Sequence, residues 1–101
     1  MKYKLIIRPE AEEDLAEAFT WYEERRKGLG YDFLLQINVA LRFLERNPLA
    51  FPEKYKGVRR CLIKRFPYMI FYLVEGQMVN ILGVIYAGRD PEWVKKRIKG
   101  S

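Results

Sequence analysis

The chain has no histidine, one cysteine (Cys61), one serine (Ser101) and one threonine (Thr20). A serine or cysteine nucleophile activated by histidine cannot be assembled within one copy, and neither can a histidine general base. A Cys/His zinc centre is excluded by the same count, so no metal and no cofactor are expected. The lone cysteine cannot close an internal disulfide, which fits a reducing compartment such as the cytoplasm. No apolar run approaches the roughly 20 residues needed to cross a bilayer, and no charged-then-apolar leader opens the chain, so no membrane role is expected.

What is present indicates one domain spanning 1–101. Half of the 101 residues are hydrophobic and 15% are aromatic, enough for one core and too few for two. The net charge of +6 is unevenly placed: residues 1–52 carry eight basic and nine acidic side chains, residues 53–101 eleven and four. A basic second half suits nucleic acid or an acidic protein, against the plainer reading of a solvated basic surface.

Periodicity gives the order β-α-α-β-β-β-α. Residues 2–8 alternate as a strand. Pro9 suits the first turn of a helix, and Glu10, Glu12, Glu13 and Asp14 face the positive end of its dipole, a structural rather than metal-binding reading. Ala11, Leu15, Ala18, Phe19 and Tyr22 make its buried stripe, and Gly28 closes it. A second helix from near Gly30 to Arg46 buries Phe33, Leu34, Ile37, Ala40, Leu41 and Leu44, and Asn47-Pro48 stops it. The short Gly28-Leu29-Gly30 link implies an antiparallel hairpin. Strands are expected over 59–66, 68–74 and 78–86, with Glu75-Gly76-Gln77 as a hairpin connection. Asp90-Pro91 then reads as the N-cap and first position of a short basic helix to Lys99. The fold class is α+β: two layers, an N-terminal strand, a helix hairpin on a largely antiparallel sheet, and a short C-terminal helix.

Two features bear on function. The third strand sets Met69, Phe71 and Leu73 on one face and Ile70, Tyr72 and Val74 on the other. A helix hairpin covers one face only, so the first trio is expected to form an open apolar patch for a partner. The competing reading folds the C-terminal helix and the 48–57 loop over it. Arg60 and Lys64 share one strand face roughly 13 Å apart, and Arg89 follows a strand end nearby. Together they suit a polyanion or an acidic surface, without a proton-transfer base near neutrality. Tyr86, beside Arg89, is the one tyrosine placed to join them.

The run Gly57-Val58-Arg59-Arg60, Lys64-Arg65-Phe66-Pro67-Tyr68 and Ile70-Phe71-Tyr72 resembles bacterial toxins of the RelE/ParE superfamily. Trp21-Tyr22-Glu23, Gly28-Leu29-Gly30, Phe33-Leu34, Asn47-Pro48, Phe51-Pro52 and Arg89-Asp90-Pro91 match the same family in order and spacing, so the resemblance covers roughly residues 3 to 97. It implies a toxin of a type II toxin–antitoxin system, associated with plasmid stabilisation, neutralised by a cognate antitoxin and touching operator DNA only through that complex. RelE-like members cleave messenger RNA on the ribosome; ParE-like members poison DNA gyrase. Met69 stands where the RelE-type site has an arginine, and Tyr86 where relatives carry a histidine. Arg89 still matches a RelE-type arginine, while Arg60 or Lys64 fits its basic strand residues loosely. The resemblance thus leans to the ParE-like branch: a gyrase inhibitor rather than an enzyme, contacting its target through Arg60, Lys64 and Arg89 and its antitoxin through Met69, Phe71 and Leu73. One alternative is a ribosome-dependent endoribonuclease using Arg60, Lys64, Tyr86 and Arg89. The other is a degenerate toxin kept as a protein-binding or operator-regulating module.

Overall fold

The computed structural model describes residues 2–89 and 91–99. Strand β1 (Lys4–Ile7) leads into helices α1 (Pro9–Arg25) and α2 (Leu29–Arg46). Strands β2 (Glu53–Tyr55), β3 (Val58–Leu62), β4 (Tyr68–Glu75) and β5 (Met78–Tyr86) follow, then α3 (Pro91–Lys99). The sheet runs β1-β5-β4-β3-β2, with β1 parallel to β5 and every other pair antiparallel. The α+β architecture expected from the sequence is the one observed. Among the described residues no helix is long and apolar enough to cross a membrane. The N-cap role expected for Asp90 lies outside the described residues.

The hairpin turns on two glycines. Gly28 has φ +91°, a left-handed conformation that glycine adopts without strain. At Gly30 a Cβ would lie 2.7 Å from the Phe19 carbonyl oxygen, so the two helices touch there because a side chain is missing. The Glu23 carboxylate accepts the Gly28 and Gly30 N–H groups at 2.9 Å each, satisfying donors at the start of α2. Beneath the hairpin, Phe33, Ile37 and Leu44 pack on Ile70, Tyr72, Val79 and Ile81. Phe66 meets the Tyr22 and Phe33 rings edge-on at 4.9 and 5.5 Å.

Three sequence expectations need correction. The strand expected over 59–66 ends at Leu62, where the chain bends, with Arg65 at φ +72°. Phe66 folds into the helix-side core and Lys64 is left on an exposed turn. The 48–57 stretch, read as turns alone, contributes the edge strand β2.

The third correction concerns the sheet's second face. Met69 and Phe71, expected to be open, are each only 6% exposed. With Val58, Leu82 and Ile85 they form a second core under Trp93, Val94 and Ile98 of α3, and Leu73 packs at its margin. A short helix with three apolar residues on one side suffices to roof a narrow sheet, so the competing reading holds for α3. β5 does not alternate strictly along its length. Phe71 pairs with Gly83 and Tyr72 with Ile81, so Leu82 is an extra residue. That bulge reverses inward and outward beyond it, moving Ile85 to the α3 side and Val84 to the hairpin side.

Candidate functional site

Two grooves meet at Arg89. The first, about 750 Å³, runs along the outer edge of β5. β1 pairs with Met78–Ile81, so among the described residues β5 has no strand neighbour on that edge from Leu82 onward. α1 walls the groove with Glu13, Asp14, Glu17 and Trp21, α3 with Trp93 and Arg97, and Tyr68, Tyr86 and Arg89 close one end.

Asp14 holds these walls together. Its Oδ2 accepts the Val84 backbone N–H and Arg97 Nη1, both at 2.9 Å, and its Oδ1 accepts Arg97 Nη2 at 3.1 Å. The carboxylate thus caps an open strand edge and clamps α3 to α1 through a two-point ion pair. The Asp14 hydrogen bond raises the Arg97 pKa further, against the opposing effect of burial. Gly83 makes room: a Cβ there would stand 3.0 Å from Arg97 Nη1 and 3.3 Å from Asp14 Oδ2. The guanidinium carbons of Arg89 and Arg97 lie 4.6 and 4.8 Å from the Trp93 ring centroid, adding cation–π contacts along the same wall.

The tyrosines form a chain, with Tyr68 6.0 Å from both Tyr22 and Tyr86. Burial pushes the Tyr68 phenol up, and the Arg89 cation only partly opposes it. Burial and then the neighbouring phenols raise Tyr22. Both therefore stay protonated at neutral pH and serve as ring surfaces and hydrogen-bond donors, not bases. Burial likewise raises the Cys61 thiol, away from the thiolate a nucleophile needs.

The second groove, about 210 Å³, lies under α3 and is basic: Lys54, Arg60, Arg89 and Lys95 surround Met69 and Phe71. Arg60 Nη1 sits 3.7 Å from Met69 Sδ. Of the sequence candidates, Arg60 and Arg89 come together here, and Tyr86 joins Arg89 in the first groove. Lys64 lines neither. Sequence reasoning missed Asp14, Glu17 and Arg97. The signal was there in the spacing of Glu10, Glu13, Asp14 and Glu17, which puts the four carboxylates on one face of α1, farther along the helix than a dipole explanation requires.

A model of the ParE toxin of the type II toxin–antitoxin system parDE matches residues 5–91. A Toxin ParE2 found in two strains of Mycobacterium tuberculosis is 25% identical over 101 residues, covering 99% of this chain and 96% of that protein. Among solved structures, the chromosomal ParDE toxin–antitoxin system from P. aeruginosa is similar with a TM-score of 0.75 and 21% identity, over 84% of this chain and 96% of that one. The toxin–antitoxin complex RelBE2 from Mycobacterium tuberculosis is similar with a TM-score of 0.59 and 18% identity, over 85% and 99%.

Proposed function

The chain belongs to the ParE toxin family of type II toxin–antitoxin systems, and we propose that it acts by binding rather than by cleavage, with DNA gyrase as its target and a cognate antitoxin as its neutraliser. One observation carries the reading: among the described residues, the basic groove is lined by four cations and no carboxylate. Lys54, Arg60, Arg89 and Lys95 line it; Glu13, Asp14 and Glu17 line the other groove, which shares only Arg89 with it and where Asp14 is already held by Arg97. Cleavage of RNA through its 2′-hydroxyl needs a base and a phosphate-stabilising cation at one scissile bond. A wall carrying Glu13, Asp14 and Glu17 repels phosphates. The basic groove suits an acidic protein surface instead, and Arg60 and Arg89 are the residues assigned to that contact. An antitoxin segment seated on Met69, Phe71 and Leu73 takes the place of α3.

One observation favours ribosome-dependent endoribonuclease activity as the second reading: Glu13, Glu17, Tyr86 and Arg89 line a single groove. Induced expression with two readouts separates the two. Loss of gyrase supercoiling with a DNA-damage response, weakened by Arg89→Ala and not by Tyr86→Phe, is the expected result. Transcript cleavage mapped by primer extension that disappears in Tyr86→Phe overturns it.

A further inference from the structure

Helix α2 is apolar on two opposite sides. One carries Phe33, Ile37, Leu41 and Leu44 and is buried in the core. The other carries Tyr31, Leu35, Val39 and Phe43, which are 65%, 56%, 53% and 44% exposed. Spacing of four places them in one ridge, which at ~1.5 Å per residue runs roughly 18 Å along the helix. Neighbouring rings broaden its ends: Phe19 meets Tyr31 at 4.9 Å and Phe51 meets Phe43 at 5.9 Å. A helix on the surface of a monomer turns polar residues outward, whereas one apolar on both sides is covered on both.

Two features select a second copy of this chain as the cover. The ridge is symmetric about Ile37: Tyr31 and Phe43 lie six residues to either side, Leu35 and Val39 two. Antiparallel pairing of α2 with α2 across a two-fold axis therefore sets ring against ring and Leu35 against Val39, with such ridges interlocking at a crossing angle of about 50°. Asp32 and Arg42 lie five residues to either side of the same centre, so opposite charges fall at one level of the pair, twice over. The second feature is the charge of α2 itself. Asp32 and Glu45 cancel Arg42 and Arg46, while residues 53–101 are strongly basic. An acidic partner is drawn to that basic half, and a neutral, self-complementary ridge suits its own copy. We propose that the outer face of α2 is a homodimer interface, formed by antiparallel α2–α2 packing centred on Ile37 and independent of the two grooves.

Sedimentation velocity of the full chain over a dilution series tests this. The expected species is a dimer of about 24 kDa, twice the 12.1 kDa chain. Leu35→Glu puts a carboxylate in the seam of both copies and should weaken the dimer at least ~100-fold. Val39→Gln serves as the second variant if Leu35→Glu lowers the melting temperature. Asp32→Arg and Arg42→Asp should each loosen the dimer, and the double exchange should restore it. A chain that sediments at 12.1 kDa throughout, or a dimer indifferent to Leu35→Glu and Val39→Gln, overturns the proposal. So does a double exchange that fails to restore the dimer, or a Leu35→Glu chain that keeps its sedimentation but loses an acidic antitoxin peptide.

Discussion

Tyr72 is buried between sheet and hairpin, and its hydroxyl donates to the Pro48 carbonyl at 2.7 Å. Burial lifts its pKa to about 12. In the unfolded chain the phenol titrates near ~10, so above that pH the unfolded state loses a proton the folded state keeps. The contribution is fully present below pH ~10 and falls by about 1.4 kcal/mol per pH unit between ~10 and ~12. Tyr72→Phe should cost about 1–2 kcal/mol at pH 7, by removing a buried hydrogen bond and leaving a carbonyl unpaired. In urea denaturation the variant's deficit should shrink above pH ~10, vanish near pH ~11 and reverse by pH ~12; parallel curves would show that the phenol does not titrate as its burial requires. Gly30 poses a steric test at the same scale. A methyl group there meets the Phe19 backbone, which cannot give way as a flexible side chain would. Gly30→Ala should therefore lower stability by about 1–3 kcal/mol despite the better helix propensity of alanine, measured by thermal melting.

At the scale of elements, α3 is the piece to watch. It contributes Trp93, Val94 and Ile98 to the second core and is tied to α1 through Asp14 and Arg97. Asp14→Ala removes the carboxylate that serves both Arg97 and the Val84 N–H, leaving a half-buried cation and an open strand edge. The expected outcome is faster amide exchange in α3 and at Val84, with the α1–α2 hairpin still protected. Exchange that quickens uniformly would mean α3 is not a separable unit. The origin of this clamp also explains what the sequence could and could not reveal. Apolar periodicity located α1 and α2, which bury one side against a large neighbour, and near-continuous apolar runs located β4 and β5, which are buried on both faces. Periodicity missed β2, three residues with little burial, and extended β3 to Phe66, because the chain bends after Leu62 while apolar Ile63 and Phe66 still point inward. Alternation alone also cannot reveal the bulge at Leu82, since an extra residue is visible only against its partner strand. The clamp joins residues 83 positions apart and leaves no local pattern at all. Arg60 was legible as a cation on an alternating strand, and Tyr86 and Arg89 as a pair at and just beyond the end of β5; their division between two grooves was not.

At the scale of the molecule, two surfaces differ in the force that would drive association. The basic groove under α3 holds Lys54, Arg60, Arg89 and Lys95, within a half of the chain where eleven basic side chains face four acidic ones. The outer face of α2 is an apolar ridge on a helix whose charges cancel. Electrostatic steering acts over the Debye length, about 10 Å at 0.1 M salt and 3 Å at 1 M, whereas burial of apolar area is little affected by monovalent salt over that range. Association with an acidic antitoxin segment, followed by stopped-flow fluorescence of Trp93 and Trp21, should therefore slow by about 10-fold or more between ~0.05 M and ~0.5 M sodium chloride. The double variant Arg60→Ala with Arg89→Ala should be slower at low salt and show a shallower salt dependence, because the steering charge has gone. Lys64→Ala should leave the slope nearly unchanged, since that lysine stands on a turn outside both grooves. The α2 self-association measured in the same salts should hold steady or tighten. A salt slope that survives loss of Arg60 and Arg89 but falls with Lys64 would move the acidic contact from the groove to the β3–β4 turn.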